Sequence, residues 1–395
     1  NEVFKMSFRL ALASSLMVLP RAKLSYAFYC LAPILILEIR RKVILNCFIV
    51  LFVFFVLFFI NFLFYNVSFT AFVLECALIF PLFILICGGK AYQGGLHYIS
   101  LMAFVLSIFN MMSVGFPFLL PYQDYLPDYY SAFYGVGGAK LVTVIGFFSL
   151  LVETQEFNHK KIGWLVVALS NFIMPNYILG ILCGGIALIF SRIKGYRSLI
   201  LFGVFVALIF PYIEYRLINI DNTLMDEFNY HPKILAYITL VELWIEYPHS
   251  FFVGVGLGQF CSYPALWASD YMGAFSSHSI PDLPYFSMTE FHDRFLGKYL
   301  KLGEVNKWAL SSSANKPYTS FSALIAEMGA LPFFFLVVGL VSCYRKLGKE
   351  YCLAIRPVII FVFLMFFIDL WHDVPVFIFC LALCLRELKE IVVRR

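Results

Sequence analysis

Residues 43–65 read VILNCFIVLFVFFVLFFINFLFY, a run without a single charged side chain. As a helix it would be about 35 Å long, enough to cross a hydrocarbon core of roughly 30 Å. Inside lipid, backbone N–H and C=O groups must find partners within the protein, which leaves helices or a closed barrel. The strict alternation of a barrel strand is absent. The chain is therefore expected to be an all-α polytopic membrane protein. Composition agrees, with 62% hydrophobic residues, 13% charged and a mean hydropathy of +0.86. A soluble chain is about a quarter charged.

About twelve hydrophobic segments are readable, near 8–19, 24–39, 43–65, 67–87, 97–120, 136–152, 162–175, 177–190, 198–213, 318–342, 355–370 and 375–386. They divide the chain into an N-terminal bundle of about nine spans (1–213), one large loop (214–317) and about three C-terminal spans (318–395), in one integrated domain. The N-terminus lacks a small-residue cleavage site, so the first segment is expected to stay. With both termini in the cytoplasm, most of the 29 Lys and Arg fall on the inner side, and the short outer loop 121–134 holds two Asp and no base. That asymmetry follows the positive-inside rule and sets 214–317 outside the cytoplasm.

The loop carries eleven acids and seven Lys or Arg in otherwise greasy sequence. Within it, KILAYITLVELWIEY (233–247) has helical periodicity, with Thr239, Glu242 and Glu246 on one face. Such a helix would lie on the membrane or roof the bundle. VGVGLGQF (253–260) is a glycine-rich turn. The ten cysteines show no CxxC pair, which argues against a disulfide framework or zinc. The net charge of +5 reports topology and is no nucleic-acid signal.

Lys233, the helix after it, Pro248 and GVGLGQF together resemble the signature of the O-antigen polymerase and O-antigen ligase superfamily. NKPYTSFSALIAEMGALPFFFLVVGL (315–340), with Glu327 and Gly329, resembles the family's segment entering the tenth span. The resemblance covers about a third of the chain in motifs. It implies a GT-C-like membrane glycosyltransferase fold, no cofactor, and an undecaprenyl-pyrophosphate-linked oligosaccharide as substrate. Membrane lipid and a chain-length regulator are the further candidate partners. Departures exist: Lys233 stands where the family usually has Arg, and three extra residues separate Pro248 from the glycines. SSSANKP (311–317) lacks the His that ligase members carry there, which favours a Wzy-type polymerase over a ligase.

The implied reaction transfers a glycan from the pyrophosphate carrier onto the hydroxyl of a second lipid-linked repeat unit. A pyrophosphate leaving group needs charge stabilisation. A metal could supply it, but no D-x-D or clustered carboxylate/His set lies in the outer sequence, so no metal ligand is assigned and cationic side chains are the default. The candidates are Arg216, Lys233, Arg294, Lys316 and Lys140. Arg216 and Lys316 lie at headgroup depth, where snorkelling is the competing reading. Arg294 follows His292 and Asp293, so a local ion pair competes. The acceptor hydroxyl needs a base of near-neutral pKa. His278 and His292 are the leading candidates, ahead of His249, His231 and His372. Glu75, Lys140 and Glu327 are costly inside a bilayer and demand partners. Glu327 matches the family acid and joins the catalytic set, with Lys140 as a guessed contact. The tyrosines of 122–134 read as an interfacial belt rather than a sugar platform. A transporter and a structural scaffold are the rival classes. No internal repeat supports the first, and a cationic, His-bearing outer loop is unexplained by the second.

Overall fold

The computed structural model describes residues 37–38, 41–86, 90–91, 94–113, 138–155, 162–175, 177–192, 232–268, 290–297, 299, 318–372 and 374–394. Among them the chain is helical apart from one antiparallel bridge, β1 (Leu37–Glu38) with β2 (Lys90–Ala91). The helices are α1 (Arg41–Phe64), α2 (Phe69–Ile86), α3 (Gly95–Ser113), α4 (Gly138–Gln155), α5 (Ile162–Ile173) and α6 (Ile178–Arg192). Four shorter or surface helices follow: α7 (Pro232–Glu246), α8 (His249–Val253), α9 (Tyr263–Ala268) and α10 (Glu290–Phe295). The C-terminal part holds α11 (Ser320–Met328), α12 (Ala330–Lys346), α13 (Lys349–Ile368) and α14 (Pro375–Arg394).

Helices α1, α3, α4 and α13 are long and apolar enough to cross a membrane, and the bent pair α11–α12 makes a fifth if it counts as one span. The expected segments 8–19 and 198–213 lie outside the described residues, and so does 24–39 apart from Leu37–Glu38, which form β1 rather than helix. The twelve-span count is thus an expectation for the whole chain, and the described helices fix only the helical class.

The bundle is organised around α4. Every residue from Leu141 to Glu153 is buried, so this helix has no outward face. It packs against α3, α5 and α14. Gly146 makes the α5 contact feasible, because a Cβ there would stand 2.3 Å from the backbone nitrogen of Phe172. Asn171 of α5 donates to the carbonyl and hydroxyl oxygens of Ser100 in α3 (2.7 and 3.0 Å), so a polar clamp reinforces the packing. The opposite case is α1, whose Leu45, Phe48, Phe52 and Leu63 project away from the protein. An apolar helix with its side chains turned outward is what contact with lipid tails requires.

One expected feature is corrected. Residues 318–342 read as one continuous span, but the helix breaks at Gly329 and α11 and α12 diverge by 113°. Gly329 adopts φ +90°, which a side chain rarely tolerates. A break in an apolar segment exposes carbonyls that need donors. The glycine turn after α8 supplies them. Val255 N–H donates to Ala326 O and Gly256 N–H donates to Glu327 O, both at 3.0 Å. This close approach needs a residue without Cβ at position 254, where one would lie 2.2 Å from Glu327 O. Asn61 of α1 donates to Gly254 O (3.0 Å), and Gln259 exchanges two hydrogen bonds with the Ser68 backbone (2.7 and 2.8 Å). The turn is thereby clasped between the α1–α2 junction and the helix break.

α7 begins and ends close to where the sequence sets it, but Thr239 does not face solvent. It is buried, with its hydroxyl donating to Leu235 O at 2.9 Å. Ile234, Val241 and Ile245 are exposed, along with Glu246 at the helix end. A hydroxyl satisfied by its own helix can enter a core at little cost, which frees the outer face to be apolar.

Gly254→Ala combines a left-handed φ with a backbone clash, so it is expected to destabilise the protein by about 3 kcal/mol or more. Gly339→Ala, in open space on α12, is expected to be neutral or slightly stabilising. Thermal unfolding in detergent distinguishes the two.

Candidate functional site

Two polar clusters meet at the entrance to α11, where the α13–α14 connection folds over Ser320. The Ser320 backbone N–H and hydroxyl donate to Asp369 O (3.0 and 3.1 Å). The same hydroxyl oxygen accepts from the N–H groups of Trp371 (2.6 Å) and His372 (3.1 Å). Thr319 caps α11, its hydroxyl oxygen accepting from Ser322 N–H at 3.1 Å. These bonds fix the side chains of Asp369 and His372 on a rigid backbone.

The first cluster is cationic. Lys140, near the start of α4, and Lys233, at the start of α7, both face Asp369, at 3.7 and 3.6 Å. Lys233 Nζ also donates to Tyr318 O at 2.8 Å. Lys140 Nζ lies over the Trp371 ring, 5.1 Å from its centre. All three charged side chains are mostly buried, at 11%, 15% and 7% exposure. Two ammonium groups thus share one carboxylate, in a setting where water screens weakly. Burial pushes the Lys233 amine below its usual value, Asp369 opposes that and Lys140 adds to it. A doubly anionic ligand seated there would relieve the repulsion between the two lysines.

The second cluster is acidic. Glu75 of α2, Glu327 of α11 and His372 are all buried, and one ligand atom from each lies within 4.8 Å of the others. His372 Nε2 is 3.6 Å from Glu75 Oε1. Glu327 Oε1 accepts from Phe260 N–H at 3.1 Å, so the glycine turn reaches this carboxylate as well.

His292 points inward from α10 and is fully buried. Its Nδ1 bonds the carbonyl oxygen of Phe260. A carbonyl only accepts, so Nδ1 carries the proton and Nε2 keeps a lone pair. Nε2 has no hydrogen-bond partner among the described residues. Burial pushes the imidazole pKa down to about 4, against a smaller opposing effect of the Phe260 carbonyl. Arg294, two residues on, turns outward to pair with Glu246 and donates to Tyr247 OH at 2.8 Å. The ion-pair reading of Arg294 thus finds its partner, on another helix rather than beside it in sequence. His249 Nε2 bonds the side-chain Oδ1 of Asn61 (3.1 Å) and its ring stacks on Tyr65, which ties it to the clasp.

Lys140, Lys233, Arg294, His292 and Glu327 from the sequence-based set are therefore located, and the first two converge. Arg216, Lys316 and His278 lie outside the described residues. The guessed Lys140–Glu327 contact gives way to Lys140–Asp369, while Glu327 joins Glu75 and His372. Asp369 escaped the sequence reading because it closes a hydrophobic segment and reads as a flanking charge. The signal was there: DLWHD (369–373) puts acids and an imidazole between two spans, on the outer side inferred for Lys140. No protein-family model, curated protein or solved structure matches the chain.

Asp369→Ala leaves two buried ammonium groups facing each other and is expected to cost about 3–5 kcal/mol of stability, read by thermal unfolding. His292 titrates near 6.5 when unfolded and near 4 when folded. The unfolded state binds the extra proton, so this contribution is complete above about pH 6.5 and lost as pH falls toward 4. The unfolding temperature should drop across that window, and less steeply in His292→Phe.

Proposed function

We propose that the protein is a glycosyltransferase of the O-antigen polymerase type. It would extend a surface polysaccharide by moving a glycan from an undecaprenyl-pyrophosphate carrier to a lipid-linked repeat unit at the periplasmic face of the inner membrane. The observation that carries this reading is the convergence of Lys140 and Lys233 on Asp369. Two buried ammonium groups at the end of a helical bundle suit a diphosphate whose polyprenyl tail remains in lipid. They act as point charges that stabilise the departing diphosphate. Asp369 holds them in place until the anion arrives. Arg216 and Lys316 are the further candidates for the same anion.

In the transfer, the acceptor hydroxyl attacks the anomeric carbon, the bond from that carbon to the diphosphate oxygen breaks, and the hydroxyl proton goes to a base. His292 offers Nε2 in the correct tautomer. A bound diphosphate nearby would raise its basicity. His278 and Glu327 are the alternatives. The ligase reading uses the same chemistry with lipid A core as acceptor. A transporter is the rival from another class, and one observation favours it: the helix break at Gly329 beside buried Glu75, Glu327 and His372 is a feature of transport sites. Flux of lipid-linked sugar in proteoliposomes, without polymer formation, would decide for it.

The test is complementation of a deletion strain, read as a lipopolysaccharide ladder. Wild type is expected to restore the ladder. Lys140→Ala and Lys233→Ala should collapse it to core plus one repeat unit, and His292→Ala should slow the transfer roughly 10²–10⁴-fold. Loss of all capped core with accumulated lipid-linked polymer would mean ligase. A ladder unaffected by the deletion would contradict the O-antigen reading.

A further inference from the structure

Two neighbouring side chains bury polar atoms in apolar surroundings, and those atoms are chemically complementary. Tyr318 is 2% exposed and packs in the aromatic cluster of Phe260, Phe291 and Phe295. Its hydroxyl has no hydrogen-bond partner among the described residues. Nε2 of buried His292 has none there either. Buried tyrosine hydroxyls usually find a partner, and buried polar atoms in general are nearly always satisfied. The two ring centroids are 6.4 Å apart, with planes inclined by 31°. Nε2 only accepts, because Nδ1 carries its proton toward Phe260 O. A tyrosine hydroxyl both donates and accepts. The two groups are not bonded to each other, yet one further oxygen between them would satisfy both. A hydroxyl group has the matching chemistry: its proton goes to Nε2, and its lone pair takes the hydrogen bond from Tyr318.

We propose that Tyr318 and His292 form a subsite for the acceptor hydroxyl. The inference rests on the glycan-transfer reading and deepens it, by giving the nucleophile a second residue. In the transfer the hydroxyl proton passes to Nε2 and the same oxygen bonds the anomeric carbon. The bond from that carbon to the diphosphate oxygen breaks, and its electron pair leaves with the diphosphate. Tyr318 keeps its own proton throughout and holds the attacking oxygen in position. The backbone ties this subsite to the lysine pair, since Tyr318 O accepts from Lys233 Nζ at 2.8 Å. One residue therefore meets the leaving-group cation with its carbonyl and the nucleophile with its side chain. Thr319, next in the chain, caps α11 and fixes that backbone. In a dry setting both hydrogen bonds are stronger than in water, and such contacts commonly tighten when substrate binds. An ordered water shares the chemistry of the hydroxyl, and the experiment separates the two.

The experiment places the full chain in lipid nanodiscs with undecaprenyl-diphosphate-linked repeat unit and reads the rate of polymer formation. Tyr318→Phe removes only the hydroxyl, whose loss should not weaken folding because it holds no bond there. The variant is expected to form polymer roughly 3–10-fold more slowly, the worth of one neutral hydrogen bond. Its affinity for undecaprenyl diphosphate alone should match wild type, whereas Lys233→Ala should weaken that affinity. In a His292→Ala background, Tyr318→Phe should slow the reaction no further, because the two side chains hold one oxygen. A structural role would instead slow both backgrounds by the same factor. The proposal is overturned, and the glycan-transfer reading stands, if Tyr318→Phe polymerises like wild type or if its effect is equal with and without His292. The two atoms then hold only water. If wild type neither binds undecaprenyl diphosphate nor forms polymer, the glycan-transfer reading falls and the subsite falls with it.

Discussion

Two backbone hydrogen bonds hold the centre of this protein together. Val255 and Gly256 donate to the carbonyls of Ala326 and Glu327, at the point where an apolar helix stops. In an apolar interior an unpaired carbonyl costs roughly 1–3 kcal/mol, so a helix can break there only if another segment brings donors. The glycine turn does so because it can approach backbone to backbone. Everything polar nearby inherits its position from that clasp. Glu327 is held by the break on one side and by Phe260 N–H on the other. Phe260 O in turn fixes the tautomer of His292. Asn61, His249 and Gln259 secure the turn to the start of the bundle.

The two clusters beyond the clasp differ in chemistry. Lys140 and Lys233 share one carboxylate, Asp369, and an anion seated there would relieve their mutual repulsion. Glu75 and Glu327 are two carboxylates grouped with the imidazole of His372. Only Leu370 and Trp371 separate Asp369 from His372, on a backbone that Ser320 ties down. α4 presents Lys140 to the first cluster. About 20 Å away along its axis, Glu153 lies against His97 at 2.5 Å. Ionisable side chains thus gather at both ends of a helix whose middle carries no charge, which suits a helix that spans a membrane.

The helical class was legible because 43–65 has only one physical solution in lipid. The extent of α7 was legible from its periodicity, although the face it buries was not: Thr239 reads as polar, yet its hydroxyl is satisfied by the helix itself. The glycines of 254–258 read as a turn, but nothing in them names Gly329 as their counterpart. Contact between segments so far apart in sequence comes from packing and leaves no local periodicity. The same reason hid Asp369 and the grouping of Glu75 with His372. Lys140 was found because a charge in greasy sequence is costly anywhere, whatever its partner, and Lys233 because it heads the helix of the resembling motif.

The central claim is that Lys140 and Lys233 together receive a lipid-linked diphosphate. The most direct measurement is an electron cryo-microscopy structure of the protein in a lipid nanodisc with undecaprenyl diphosphate bound. The account predicts diphosphate density within hydrogen-bonding distance of both Nζ atoms, with Asp369 drawn away from at least one of them. Diphosphate bound elsewhere, with both lysines still on Asp369, would contradict it.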